Sequence, residues 1–139
     1  MPKSLLDTDI FSEILKGVDQ VVVQRATDYR AAFGRYTISA ITVMEIVKGL
    51  HKVSREDRIQ QFLNGLTTVE LLALDGRSAE LAGRIFADLE RTGQPIGRAD
   101  PMVAAVALQH GLILVTGNTT HYERVRALGY PLQIENWRV

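Results

Sequence analysis

Short apolar runs alternate with helical segments along this chain of 139 residues. The runs SLL at 4–6 and LILV at 112–115 are the length of β-strands, and between them apolar residues recur every three or four positions, as on one face of a helix. Nearly continuous apolar strands that are separated by helices are typical of a parallel sheet covered on both faces. The alternation therefore predicts an α/β fold with a central, mainly parallel sheet.

The periodicity predicts five strands and seven helices. The strands are expected at 4–6, 35–38, 68–71, 112–115 and 132–134. The helices are expected at 9–16, 41–50, 55–65, 76–92, 101–110 and 119–126, and a further helix that follows the first ends at about residue 33. No repeat, low-complexity tract or linker-like stretch interrupts this pattern, so we expect a single domain that spans residues 1–139.

The amino-acid composition limits the cofactors and partners that this chain can bind. The chain has no cysteine, which excludes disulfides and thiolate metal sites and leaves hard ions such as Mg²⁺ or Mn²⁺ for an oxygen-rich site. Its 16 basic and 16 acidic residues balance, which counts mildly against a nucleic-acid partner. An aspartate at position 7 interrupts any signal peptide, and no apolar run is long enough to span a bilayer, so we expect a cytoplasmic protein without a membrane partner.

Carboxylates occur where the local pattern is otherwise apolar. Asp7 ends the first strand, Glu45 is the only charged residue in YTISAITVMEIV at 36–47, and Asp100 opens the apolar helix DPMVAAVAL. Asn118 follows the strand at 112–115. In a parallel sheet, positions at strand ends can converge. Clustered carboxylates repel one another unless a divalent cation neutralises them, and with that cation they can activate water against a phosphodiester.

These four positions have a second interpretation as helix-capping residues. Asp7 can cap the helix at 9–16, Glu45 can form a capping box with Thr42, Asp100 can be an N-cap before Pro101, and Asn118 can cap the last helix. The residues alone leave both interpretations open.

Five blocks of the sequence resemble the PIN-domain toxins of VapBC toxin–antitoxin pairs. The blocks are LLDTDIF at 5–11, SAITVMEIVKG at 39–49, IGRADPMVAAVAL at 96–108, LVTGNTTHYERV at 114–125 and IENW at 134–137. The first four follow the order and spacing of that family, IENW is similar to its C-terminus, and the resemblance covers essentially the whole chain. The resemblance implies a three-layer α/β/α fold and an endoribonuclease that depends on Mg²⁺ or Mn²⁺. It further implies an RNA substrate such as tRNA or rRNA, a cognate antitoxin and a homodimer.

The same resemblance implies roles for individual residues. Asp7, Glu45 and Asp100 match the acidic residues of the family, with Asp7 and Asp100 as metal ligands. Thr116 matches the hydroxyl two positions before the fourth site residue. That fourth residue is commonly aspartate in the family and is Asn118 here, which removes one negative charge and leaves the number of metal ions open.

Three further residues near these positions have weaker interpretations. Asp9 stands where the family often has asparagine, and we interpret it as a helix cap rather than as a replacement for the missing charge. His121 and Tyr122 can stack on an RNA base, although packing in the helix is favoured for Tyr122.

Two other functions are compatible with parts of this sequence. Asp7-Thr8-Asp9 is similar to the nucleophile loop of haloacid-dehalogenase-type phosphatases, but Phe11 stands where those enzymes have Thr or Val. The alternative from another class is a PIN-fold module that binds RNA or a protein without cleaving, which Asn118 and the zero net charge would suit. RNA cleavage that needs metal and is lost in Asp7→Asn separates that module from the nuclease.

Overall fold

The computed structural model describes residues 2–139. Helices and strands alternate through this part of the chain. The strands are β1 (Ser4–Leu6), β2 (Thr37–Ser39), β3 (Glu70–Leu72), β4 (Ile113–Val115) and β5 (Ile134–Glu135). The helices are α1 (Thr8–Lys16), α2 (Gln20–Phe33), α3 (Ala40–Lys52), α4 (Glu56–Gly65), α5 (Gly76–Arg91), α6 (Ala99–His110) and α7 (Thr119–Ala127), with a 3₁₀ turn at Leu66–Thr68.

The strands form two parallel ladders that lie beside each other. One ladder has the order β1-β4-β5, and the other pairs β2 with β3. In the first, Leu5 is opposite Leu114 and Leu114 is opposite Ile134. Strands β1 and β2 are neighbours in space, which gives the order β3-β2-β1-β4-β5 across the molecule. All three hydrogen-bonded strand pairs are parallel, as the sequence predicts.

The pleat of the central strands divides the core into two halves. Leu5 and Leu114 face one side, where they join buried residues of α5, α6 and α7. Leu6 and Val115 face the other side, against α1 and α2. Successive residues of a strand point to opposite faces, so apolar residues in a row require helices on both faces. This arrangement confirms the predicted three layers.

Local sequence explains where most elements begin and end. The Asp19 side chain accepts hydrogen bonds from Val21 N and Val22 N and caps α2, and Asp75 caps α5 in the same way. Gly17 and Gly111 end α1 and α6 in the left-handed conformation that favours glycine. No helix within residues 2–139 combines the length and the apolar character that crossing a membrane requires.

Candidate active site

The carboxyl ends of β1 and β4 bring Asp7 and Thr116 together. Asp7 follows β1 directly, is 6% exposed and caps α1, with Oδ1 accepting from Thr8 N at 2.9 Å. Its other oxygen, Oδ2, accepts from the Thr116 hydroxyl at 2.9 Å and from the Tyr122 hydroxyl at 3.2 Å. The capping interpretation of Asp7 is therefore confirmed, and the cap serves a buried carboxylate that further polar groups surround.

Burial is the largest cause of an unusual pKa at Asp7. Loss of hydration, followed by the charge of Asp9 and then that of Asp100, raises the pKa from 3.8 to about 7, although the Thr116 hydroxyl and Thr8 N–H act in the opposite direction. No lysine or arginine within residues 2–139 forms an ion pair with Asp7. The ionised form of Asp7 therefore lacks a protein cation to stabilise it.

Asp100 lies in the first turn of α6, next to the loop that follows β4. Its Oδ2 accepts from Asn118 Nδ2 at 3.1 Å and lies 2.9 Å from His121 Nδ1. His121 Nδ1 is also 2.8 Å from Asn118 Nδ2, so the imidazole donates to the carboxylate or accepts from the amide according to its tautomer. Asp100, Asn118 and His121 thus form one hydrogen-bonded triangle.

The interpretation of Asp100 and Asn118 as caps is wrong in both cases. Helix α6 begins at Ala99, one residue before Asp100, and Arg98 occupies the N-cap position. Asn118 stands at the N-cap position of α7, but its side chain makes no capping hydrogen bond and turns to Asp100 instead. The two side chains bond to each other across α6 and α7 instead of capping these helices.

Tyr122 connects the two aspartates. Its ring is fully buried on α7, and its hydroxyl lies 3.2 Å from both Asp7 Oδ2 and Asp100 Oδ1. Burial, followed by the charges of Asp7 and Asp100, raises the pKa of this phenol well above 10, so it is a proton donor at neutral pH. The prediction that Tyr122 packs in the core is confirmed, and the hydroxyl adds a contact that the prediction did not include.

Glu45 lies to one side of this pair. Its Oε1 accepts from the Thr8 hydroxyl at 2.5 Å, and the Thr8 hydroxyl also contacts that of Thr42 at 2.9 Å. The predicted capping box of Thr42 with Glu45 is wrong, because α3 begins at Ala40 and Ser39 caps it through a bond from Thr42 N. Thr8 therefore links Glu45 to the segment that carries Asp7.

Asp9 is not the helix cap that the sequence analysis predicted. It is the second residue of α1, and Asp7 is the cap. Asp9 Oδ2 accepts from Gly117 N at 2.9 Å, and Arg138 Nη1 lies 3.6 Å from the same oxygen. Asp9 thus fixes the loop after β4 and the C-terminal segment beside Asp7.

The donor set fits a hard divalent cation between Asp7 and Asp100. The hydrogen bonds described above leave at least one acceptor position on Asp7 Oδ1 and one on Asp100 Oδ1. Within residues 2–139, no three Asp, Glu or His side chains come close enough to form a metal site by themselves. A site of two carboxylates suits Mg²⁺, which usually keeps several water ligands and binds through one or two carboxylates.

Sequence reasoning identified some of these residues and missed others. It singled out Asp7, Asp100, Thr116 and Asn118, which the structure joins in one hydrogen-bonded network. Thr8 and Arg138 were missed, and Asp9, His121 and the Tyr122 hydroxyl were given another role. Tyr122 follows Asn118 by four positions and so shares its helix face, which is a usable signal; nothing local points to Arg138.

Comparison with known proteins places this arrangement in a family. Residues 4–128 match the PIN domain. The chain is 34% identical over 138 residues to the tRNA(fMet)-specific endonuclease VapC of Shigella flexneri, with 99% of each chain covered. It is 35% identical over 141 residues to ribonuclease VapC2 of Haemophilus influenzae, again with 99% of each covered. The DNA-bound VapBC crystal structure from Salmonella typhimurium superposes with a TM-score of 0.80 at 32% identity over 99% of both chains.

The parallel strands and both aspartates of the site lie within the residues that match the PIN domain, and the match extends over nearly the whole chain. The chain therefore belongs to the PIN-domain family, among its VapC-type ribonuclease toxins.

Proposed function

We propose that this chain, acting as one domain over residues 1–139, is the endoribonuclease toxin of a type II toxin–antitoxin pair and requires Mg²⁺ or Mn²⁺. One observation carries the proposal: Asp7 and Asp100 meet at the strand ends through a shared hydroxyl, and each keeps a free acceptor position. The VapC relatives, which are named as ribonucleases, support the reaction type.

The residues of the site have distinct tasks in this proposal. Asp7 and Asp100 would hold the cation, which supplies a Lewis acid for water and for the scissile phosphate. Thr116 orients Asp7, and Asn118 orients Asp100, each through a hydrogen bond. Glu45 keeps Oε2 free of hydrogen bonds to residues 2–139, so it is available to accept a proton from the attacking water.

The substrate is an RNA in this proposal, and initiator tRNA is the first to test because the Shigella flexneri relative is named for it. Purified toxin should cleave this RNA with Mg²⁺ and leave it intact in EDTA. Asp7→Asn and Asp100→Asn should each reduce the rate by at least about 100-fold, since each removes a charged ligand. Retained RNA binding without cleavage by the wild type would favour the non-cleaving module instead.

The control for this test is Asp19→Asn. Asp19 caps α2 as Asp7 caps α1, and it accepts only from the backbone of its own helix within residues 2–139. Asparagine caps about as well as aspartate, so this variant should keep both fold and activity. Equal activity loss in Asp19→Asn and Asp7→Asn would mean that the aspartates matter only as caps.

An apolar groove beside the site is where we propose that the antitoxin binds. It has a volume of about 930 Å³ and runs from Thr8 and Glu45 along α1, α3 and α4. Its apolar lining includes Phe11, Ile46 and Phe62, and Arg58 stands on its wall. A partner segment in this groove would reach Glu45 and from there place a basic side chain among the carboxylates of the site, where it would compete with the metal. Excess Mg²⁺ should then weaken inhibition measurably.

Two exposed apolar residues test the groove. Leu15 lines it and is 58% exposed, whereas Met44 is 52% exposed on α3 and lies outside it. Leu15→Glu should weaken antitoxin binding about tenfold or more, because burying a charge in an apolar contact is costly, and Met44→Glu should not. Equal binding by both variants places the antitoxin elsewhere.

The homodimer that the resemblance implies belongs to this proposal too, and light scattering of the isolated toxin tests it.

A further inference from the structure

Tyr122 carries a hydroxyl that packing alone does not require. The ring is fully buried among the residues that α5, α6 and α7 contribute to the core, and phenylalanine would fill the same space. The hydroxyl nevertheless reaches Asp7 Oδ2 and Asp100 Oδ1, both at 3.2 Å. A buried hydroxyl between two carboxylates of like charge serves those carboxylates rather than the core.

The hydrogen-bond inventory shows what this hydroxyl does for the pair. Asp7 Oδ2 accepts from the Thr116 hydroxyl, and it shares the single proton of the Tyr122 hydroxyl with Asp100 Oδ1. Asp100 Oδ2 already contacts Asn118 and His121, and Asp100 Oδ1 contacts Tyr122 alone. The remaining acceptor positions therefore lie on Asp7 Oδ1 and Asp100 Oδ1. Tyr122 is the one side chain within residues 2–139 that hydrogen-bonds to both carboxylates.

We propose that Tyr122 is a positioning residue, whose hydroxyl holds Asp7 and Asp100 at the separation at which their free acceptor positions can share one divalent cation. This rests on the metal dependence proposed above. Tyr122 acts through the two aspartates and does not itself bind the cation. The proposal assigns the hydroxyl a role that is separate from the packing of the ring. Outer-shell partners of this kind typically contribute 10- to 100-fold to metal affinity.

The test is a calorimetric titration of Mn²⁺ into metal-free protein, with wild type, Tyr122→Phe and Tyr29→Phe. Tyr29 is the matched control, because it is equally buried and its hydroxyl also makes hydrogen bonds, but to the backbone of Ser4. Tyr122→Phe should bind Mn²⁺ about tenfold more weakly, and Tyr29→Phe should bind as the wild type does. Thermal melts without metal should show both variants folded.

RNA cleavage gives a second measurement. At limiting Mn²⁺ the rate of Tyr122→Phe should fall in proportion to its lost affinity, and saturating Mn²⁺ should restore most of it. If Tyr122→Phe binds Mn²⁺ as tightly as the wild type or more tightly, the positioning role of Tyr122 is wrong, and the proposed metal dependence is unaffected. An equal loss of Mn²⁺ affinity in Tyr29→Phe has the same consequence. A wild type that binds no Mn²⁺ overturns the proposed metal dependence and this inference together.

Discussion

Arg138 occupies the space that a side chain at Gly117 would need. A β-carbon at position 117 would collide with the Arg138 guanidinium and would lie 2.7 Å from Asp9 Oδ2. The backbone of Gly117 is not in the left-handed region, so conformation alone does not require glycine there. Gly117 is needed because the loop after β4, the start of α1 and the C-terminal segment meet at this point.

Gly117→Ala should therefore destabilise the protein by about 1 kcal/mol, because Arg138 must move away from Asp9 to make room. In an Arg138→Ala background the same substitution should cost less, since the main obstacle is gone. Urea unfolding of the four proteins measures this coupling. Gly83→Ala is the control: it lies within α5 with open space around it, and alanine should stabilise it by roughly 0.5–1 kcal/mol. Additive costs at positions 117 and 138 would contradict the contact.

The raised pKa of Asp7 predicts that the metal-free protein loses stability as pH rises. The folded state keeps the Asp7 proton up to about pH 7, whereas the unfolded chain releases it near 3.8. Between these values the folded state binds more protons, so its stability falls with increasing pH. The loss from this group is on the order of 3–5 kcal/mol, complete above pH 7.

Asp7→Asn should remove this dependence, and the difference between the two unfolding curves isolates Asp7 from other titrating groups. Chemical unfolding in EDTA from pH 4 to 8 makes the measurement. At pH 8 the variant should be more stable than the wild type, and near pH 4 the two should be similar. Parallel curves across the whole range would mean that Asp7 titrates normally.

Metal should stabilise the protein more at high pH than at low pH. A cation competes with the proton on Asp7, whose pKa is about 7 without metal. At 100 times its dissociation constant a ligand adds about 2.7 kcal/mol to stability. We expect Mg²⁺ or Mn²⁺ to raise the melting temperature clearly at pH 8 and much less at pH 5. An equal rise at both pH values would place the cation away from Asp7.

Asn118→Asp should have opposite effects with and without metal. The amide nitrogen donates to Asp100 Oδ2 at 3.1 Å, and aspartate would place a carboxylate oxygen there instead. In EDTA the variant should lose about 1–2 kcal/mol, because a hydrogen bond becomes a repulsion between like charges. With saturating Mn²⁺ the loss should shrink or reverse, since the added charge favours the cation. Asn118→Ala, which removes the amide without adding charge, is the control and should lose stability equally in both conditions.

The local sequence pattern was sufficient to predict those parts of the site whose positions follow from the pairing of the strands. Asp7 and Thr116 end neighbouring parallel strands, so their meeting follows from the topology. Predicted strand ends differ from the observed ones by up to two residues, as at β2 and β5, because pairing partners decide where a ladder stops.

The other parts of the site depend on contacts between residues that are far apart in the sequence. Tyr122 and Asp7 are 115 positions apart, and Gly117 and Asp9 are 108 apart. No local pattern encodes such distances. The capping interpretations of Asp100 and Thr42 failed for a related reason: each helix begins earlier than its capping motif suggests, so tertiary partners use these side chains instead. The placement of Glu45 beside Thr8 depends on the packing of α3 against α1, which periodicity does not describe.

The wide sequence separation of the residues that form the site has a consequence for synthesis. Thr116 and Tyr122 are added 109 and 115 positions after Asp7, and β4 must exist before it can pair with β1. Domains assemble as the chain leaves the ribosome. A nascent chain that lacks β4 and α7 therefore has no complete site, so a ribosome that makes this toxin is not exposed to its activity before residues up to Tyr122 have emerged.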